Sequence, residues 1–247
     1  MKLRKIHPAW FAAAVTFLML VATAGFRSAP SVLIVPLEDA FGWSRSDISL
    51  AIAINVLLFG LVSPFAAALM EKFGMRRVVM SALTTVSIGA FLTIFIQAPW
   101  QLIATWGVIV GTGTGSMALV FAATVANRWF VAKRGLVTGA LTAASATGQL
   151  IFLPGLSHLA HTYSWKSVSI TVATFSLAVV PFIYFFLREK PAVLGLLPYG
   201  APADWQPPAK SELSAGALAI DTLKQGSKRK DFWYLFGSFF VCGLSTS

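Results

Sequence analysis

Charge is scarce in this sequence, and that scarcity excludes most soluble proteins. Only 11% of the 247 residues are charged and 57% are hydrophobic, whereas an average soluble domain has about a quarter charged residues. Cys242 is the single cysteine, so the chain can form neither an internal disulfide nor a cysteine metal cluster. The composition predicts an integral membrane protein whose main solvent is the lipid bilayer.

Groups suited to catalysis or metal binding are also missing at membrane depth. No carboxylate lies in the interior of an apolar run, and His7, His158 and His161 lie near the ends of runs. His158 and His161 could share a helix face as metal ligands, but no third ligand lies nearby. The glycine-rich run 111–116 lacks the preceding strand and the lysine of a phosphate loop. We therefore predict no enzyme activity, no catalytic residues, no metal site and no cofactor.

Six apolar runs are long enough to span a bilayer, which takes about 20 residues of helix. They occupy residues 10–37, 48–70, 78–97, 100–126, 135–159 and 167–187. These runs lack the alternation of a transmembrane barrel, so they predict helices. The first run continues past Ala22-Thr23-Ala24, which favours a span over a cleaved signal peptide.

The excess of basic residues predicts an orientation rather than a nucleic-acid partner. The formal net charge is +10, but the cations form short clusters between apolar runs instead of one basic face. Basic residues near helix ends tend to stay in the cytoplasm. The clusters at the N-terminus and in alternate connections are Lys2, Arg4, Lys5, Lys72, Arg76, Arg77, Arg128, Lys133 and Arg134. We therefore predict a multi-pass protein of the cell membrane with a cytoplasmic N-terminus.

Tryptophans support the same orientation. Trp43, Trp100 and Trp165 fall at the predicted outer interface, and Trp10 and Trp129 fall at the inner one, where amphipathic rings settle. Positive charge and aromatic placement are separate signals, and they agree.

Three regions follow from the hydropathy pattern. Residues 1–187 hold the six spans, and residues 188–231 are predicted to be a flexible cytoplasmic linker because they contain five prolines and a basic cluster. Residues 232–247 are apolar but too short to cross. This last region is predicted to be the truncated start of a seventh helix.

Polar groups inside the spans are the candidate substrate contacts. Arg27 is an ionisable side chain well inside a span, where a charge costs about 3 kcal/mol on insertion scales and so is kept for a function or a partner. The alternative is that its long side chain reaches the outer interface. Asn55 and Gln149 are further candidates, and for both the alternative is a hydrogen bond between helices.

Glycines and other small residues recur at helical spacing in the fourth and fifth runs. They are Gly107, Gly111, Gly115, Gly135, Gly139 and Ala143. Small residues let helix backbones approach closely inside membranes. We therefore predict close helix packing along both faces.

The connection at residues 67–77, Ala-Ala-Leu-Met-Glu-Lys-Phe-Gly-Met-Arg-Arg, resembles motif A of the major facilitator superfamily, Gly-x-Leu-Ala-Asp-Arg-x-Gly-Arg-Arg. It departs from the motif at Ala67, Glu71 and Met75. In that family the acid and the basic residues latch the cytoplasmic side of the outward-open form. The resemblance implies this gating role for the following residues: Glu71, Lys72, Gly74, Arg76 and Arg77.

The stretch 127–139, with Gly148 and Pro154 beyond it, resembles the aromatic, basic and glycine pattern of monocarboxylate and oxalate/formate transporters. In monocarboxylate transporters a basic residue of the first helix binds the carboxylate, and Arg27 aligns at or within one position of it. The resemblance implies an all-α integral membrane fold, the six-helix N-terminal bundle of a major facilitator fold with three-plus-three inverted repeats.

The implied function is secondary transport of a small organic anion by alternating access, coupled to protons or to a counter-anion. The implied partners are the anion, the lipid bilayer and a missing C-terminal half, with no nucleic acid. The alternative is a truncated, non-transporting membrane fragment or a helix bundle that binds a partner. The sequence leaves both open.

Overall fold

The computed structural model describes residues 7–117, 119–206 and 215–245. Within these ranges six helices are long and apolar enough to cross a bilayer. They are α1 (Pro8–Phe41), α2 (Arg45–Phe73), α3 (Met75–Thr93), α4 (Pro99–Trp129), α5 (Arg134–Thr162) and α6 (Trp165–Phe186). The six predicted spans are confirmed, and no strand occurs in the described ranges. The N-terminal cations Lys2, Arg4 and Lys5 lie outside them.

Local chemistry sets the ends of these helices. The N–H of Gly42 closes α1 by donating to Glu38 O at 2.9 Å. The Ser44 hydroxyl then caps α2 by accepting from Asp47 N at 3.2 Å, a common way to satisfy a free amide at a helix start. Gly74 alone separates α2 from α3. The short connections hold neighbouring helices in fixed positions.

The largest helix contacts are α1 with α5, α2 with α4, α3 with α6, and α3 with α4. A hydrogen bond from Ser87 Oγ to Ala173 O, 2.8 Å long, joins α3 to α6. If α1, α2 and α3 exchange places with α4, α5 and α6, the α1–α5 contact becomes the α2–α4 contact. The α3–α6 contact stays the same under this exchange. This is the packing expected of the predicted three-plus-three repeat.

Glycines allow the close packing of α4 on α2. A Cβ atom on Gly111 would lie 3.0 Å from Asn55 Cα, and one on Gly115 would lie 2.9 Å from Phe59 Cα. The prediction of a close helix contact along this face is therefore confirmed. Across the α1–α5 contact, Gly148 of α5 packs against the α1 backbone.

The same prediction is wrong for the start of α5. No atom lies within 4 Å of a Cβ built on Gly135 or Gly139, and Ala143 is exposed. These small residues lie on a face of α5 that the described helices leave uncovered. Spacing alone could not distinguish a packed glycine face from an open one.

The aromatic residues mark two ends of the bundle. The Phe41 ring lies 4.4 Å from Trp43 and 5.5 Å from Trp165, and we call this the tryptophan end. The opposite end carries residues 71–77 and 128–134, and we call it the basic end. The predicted grouping of Trp43 with Trp165 is confirmed, and the orientation of the two ends in the membrane stays a prediction.

The first part of the predicted linker, residues 188–231, contacts the six-helix bundle. Tyr199 N donates to Trp129 O at 2.8 Å, and the Tyr199 ring lies 5.6 Å from the rings of both His7 and Trp10. Proline content did not reveal this because the partners of Tyr199 come from distant parts of the chain. The segment after α6 is thus fixed against the basic end.

The described residues 215–245 belong to a second compact unit. They contain α7 (Ala215–Ser227) and α8 (Lys230–Ser245), and Trp233 Nε1 donates to Ser227 O at 2.8 Å between them. The later part of the predicted linker thus contains a helix, α7, which is rich in alanine and leucine, residues that favour helix. The last helix begins at Lys230 rather than at residue 232.

Candidate functional site

Arg27 lies in the middle of α1 and faces α2. Its guanidinium carbon is 4.9 Å from the centre of the Phe59 ring, which is the geometry of a cation–π contact. In the part of the chain that the structure describes, no carboxylate lies within ion-pair distance of Arg27. Pro30, one turn later, cannot donate to the carbonyl of Phe26. A cation without a counter-ion among the described residues therefore lies one turn before a break in the hydrogen-bond pattern of α1.

A small cavity adjoins this guanidinium. Its volume is about 20 Å³, and its polar lining comes from Thr23, Arg27, Thr114 and Ser145 on three different helices. Such a volume holds about one water molecule. The arrangement gathers hydroxyl groups beside a cation that is exposed in the described bundle. The cavity itself is too small to enclose an organic anion.

Asn55 has a partner between helices. Its Nδ2 donates to Trp106 O at 2.7 Å, inside a segment of α4, Ile103–Val110, that is wound as a π-helix. The wide turns of a π-helix leave some backbone carbonyl groups without a good hydrogen bond from the helix itself. Asn55 lies one turn from Phe59 on α2, so it faces the neighbourhood of Arg27 while holding α2 against α4.

Gln149 lies on α5, one turn beyond Ser145, which lines the Arg27 cavity. It is half-buried, and no hydrogen bond from its side chain is found among the described residues. Of the three predicted substrate contacts, Arg27 and Gln149 therefore have free polar groups, whereas the amide nitrogen of Asn55 is engaged.

A second polar cluster lies at the basic end around Glu189, just after α6. Its Oε2 accepts from Met75 N and its Oε1 from Arg76 N, each at 2.8 Å. These are free amides at the start of α3, where negative charge is stabilised by the helix dipole. A Cβ on Gly74, whose φ is 94°, would lie 2.8 Å from Glu189 Oε1. The glycine is required both by its backbone conformation and by the approach of the carboxylate.

Arg128 of α4 completes this Glu189 cluster. Its Nη1 lies 3.2 Å from Glu189 Oε2, its Nη2 donates to Met70 O at 2.8 Å, and Nη2 is 3.8 Å from Glu71 Oε2. The ends of α2, α3, α4 and α6 are thereby joined through one carboxylate and one guanidinium.

The predicted gating residues divide into two groups. Glu71 and Gly74 touch the Glu189 cluster, and the Arg76 guanidinium lies 4.0 Å over the Tyr184 ring. Lys72 and Arg77 are exposed. The loop therefore has a fixed inner face and a free basic outer face.

The sequence did not indicate several of the residues that contact Arg27, Arg76 or the small cavity. Phe59, Ser145 and Tyr184 look like ordinary residues of apolar helices, and no local pattern marks them. Glu189 had a weak signal, because it is a lone acid between Arg188 and Lys190. No group of three His, Cys, Asp or Glu side chains suited to a metal occurs among the described residues.

Comparison with known proteins gives a consistent set of relatives. Residues 15–247 match the family model of the Major Facilitator Superfamily. The chain is 26% identical over 185 residues to the uncharacterized MFS-type transporter YcxA of Bacillus subtilis (strain 168), covering 74% of this chain and 45% of that protein. It is 26% identical over 215 residues to human monocarboxylate transporter 11, covering 86% and 43%. With human monocarboxylate transporter 7 it shares 28% identity over 173 residues, covering 70% and 33%. The chain thus spans less than half the length of these relatives.

Proposed function

Because the chain belongs to the major facilitator superfamily, we propose that it forms one side of the pathway of a secondary transporter for small organic anions. The observation that carries the proposal is the unpaired Arg27 guanidinium in the middle of α1. A guanidinium is always charged and presents a planar set of donors that fits a carboxylate. The names of the monocarboxylate transporters agree with this substrate class.

Arg27 attracts the anion, and Gln149 supplies a further hydrogen-bond donor one turn from the Arg27 cavity. Asn55 acts at the same level by holding α2 against α4, and its Oδ1 remains for a hydroxyl or amide group of the substrate. The cation–π contact with Phe59 keeps the guanidinium in place while no anion is bound.

The Arg27 side chain is exposed in the described bundle, and the small cavity beside it is too small to enclose an organic anion. In alternating access one bundle rocks against another around a central site, so a second bundle would complete the site, and its movement would open and close it. The rigid Glu189 cluster keeps the basic end of the bundle together during that movement. The exposed Lys72 and Arg77, together with Glu71, are then available to latch against a second bundle.

Uptake of labelled pyruvate, lactate and oxalate into proteoliposomes tests the proposal, with protein produced from the complete coding sequence. Arg27→Gln should raise the half-saturating concentration roughly ten- to a hundredfold, since a hydrogen bond to a charged group contributes about 1.5–3 kcal/mol. Arg45→Gln is the matched control, because Arg45 is exposed at the tryptophan end and pairs with Glu38 at 3.1 Å.

Unchanged half-saturation in Arg27→Gln would remove Arg27 from the site. Saturable uptake of neutral or cationic solutes, with none of the three anions, would overturn the substrate class.

A further inference from the structure

Two rows of residues border the open side of the contact between α1 and α5, where Arg27, Ser31 and His161 are exposed. In each row the residues are four apart, so each row runs along one face of its helix. The α1 row comprises Thr23, Arg27, Ser31 and Val35, and the α5 row comprises Ser145, Gln149, Leu153, Ser157 and His161. Thr23, Arg27 and Ser145 line the small cavity, and Ser31, Val35, Leu153, Ser157 and His161 line a second one nearer the tryptophan end. The polar residues thus continue from Arg27 toward that end.

The second cavity differs from the first in size. Its volume is about 350 Å³, against about 20 Å³ beside Arg27. Ligand pockets in proteins usually measure about 300–1,000 Å³. The larger cavity therefore has room for a small organic anion in the present conformation, and the smaller one does not.

The lining of the larger cavity suits a carboxylate with a short apolar body. Ser157 and His161 have no hydrogen bond or ion pair among the described residues, so their polar hydrogens are available. The Ser31 hydroxyl donates to Ser28 O at 2.9 Å and must rotate before it can donate to a ligand. Val32, Val35 and Leu153 form the apolar wall, and no carboxylate lines the cavity.

We propose that this cavity is a staging site, where an organic anion binds between the tryptophan end and Arg27. Ser157 and His161 hold its carboxylate group, and the apolar wall contacts its hydrocarbon part. Ser31 lies one helical turn, about 6 Å, from Arg27, and both side chains are exposed in the described bundle, so a bound anion passes directly from one position to the next. This inference rests on the proposed function for the class of ligand.

Cysteine protection tests the site in the complete gene product, with Cys242→Ser as background. Ser157→Cys is labelled with a negatively charged, membrane-impermeant methanethiosulfonate, in the presence and absence of pyruvate, lactate or oxalate. Tyr163→Cys is the control, because Tyr163 is 73% exposed just beyond α5. We expect at least one of the anions to slow labelling at position 157 and to leave labelling at position 163 unchanged.

Two further variants separate local occupancy from a conformational change triggered at Arg27. Protection at position 157 should persist in Arg27→Gln and should weaken about tenfold in His161→Ala, which removes a hydrogen-bond donor. His158→Ala is the matched control, since His158 is exposed on the same helix and does not line the cavity. Protection that disappears in Arg27→Gln, or that no anion produces, overturns the staging site.

Transport kinetics give an independent result if the cysteine variant does not fold. His161→Ala should raise the half-saturating anion concentration for entry from the tryptophan end about tenfold, with the maximal rate unchanged. Identical kinetics in His161→Ala and wild type overturn the inference, while the effect of Arg27→Gln would still support the proposed function.

Discussion

Glu189 accepts hydrogen bonds from two backbone amides of α3 and from the Arg128 guanidinium. Its side chain is 30% exposed, so water screens these contacts only in part. Neutralising it leaves the Arg128 charge without its nearest carboxylate and weakens both bonds at the start of α3. At the level of single residues, this carboxylate is the main support of the basic end.

Glu189→Gln should lower the free energy of unfolding by about 1–3 kcal/mol, the range for hydrogen bonds to charged groups. Thermal unfolding in detergent measures the change. Glu38→Gln is the control, because Glu38 pairs only with the exposed Arg45, and exposed ion pairs contribute about 0–1 kcal/mol. Equal effects of the two substitutions would contradict the role of Glu189.

Arg27 and Arg128 show how differently two arginines of one bundle are used. Arg128 has carboxylate and carbonyl partners at hydrogen-bond distance, whereas the contact found for Arg27 among the described residues is the face of an aromatic ring. An arginine whose donors are already satisfied contributes stability. The free donors of Arg27 are the reason for proposing it as a ligand contact.

At the level of elements, α4 and α5 contain glycines at the same spacing but in opposite surroundings. Gly115 of α4 approaches the Phe59 backbone so closely that a side chain has no space, whereas Gly139 of α5 has open space around it. The Ser63 hydroxyl strengthens the first contact by donating to Gly115 O at 3.2 Å. The α2–α4 contact therefore depends on its glycines.

We expect Gly115→Ala to destabilise the bundle by about 1–3 kcal/mol, because the added methyl group must push the α2 backbone away. Gly139→Ala should be neutral or stabilising by up to about 1 kcal/mol, since alanine favours helix and nothing obstructs it. Thermal unfolding of both variants under one condition compares the two. A destabilising Gly139→Ala with a neutral Gly115→Ala would contradict the packing described.

At the level of the whole molecule, the paired packing of α1 with α5 and α2 with α4 leaves one face of α5 uncovered in the described bundle. The same α1–α5 contact holds Arg27, the staging cavity and the row of polar residues between them. The proposed anion pathway and the open face thus share one helix. A second bundle that covers α5 would close the proposed pathway from the side.

Topology is testable by cysteine labelling in intact cells with an impermeant thiol reagent. Lys72→Cys at the basic end should not react from outside, and Tyr163→Cys at the tryptophan end should react, because basic residues stay on the cytoplasmic side. Both positions are exposed in the described bundle. The reverse pattern of labelling would invert the proposed orientation.

The amino-acid sequence alone determined the six spans and the grouping of tryptophans, and it marked Arg27 and the Gly74 loop as candidate functional residues. These properties are local, since hydropathy, helix length and charge clusters depend on neighbours in the chain. Motif resemblance added the family, which the comparisons then confirmed.

The tertiary structure decided how each polar group and glycine is used. Asn55 bonds to Trp106, Glu189 to the start of α3, and Tyr199 to Trp129, and each contact joins residues far apart in the chain. Gly115 and Gly139 have the same four-residue spacing but opposite surroundings. Local spacing tells which residues share a helix face, and only the packing of whole helices decides what that face touches.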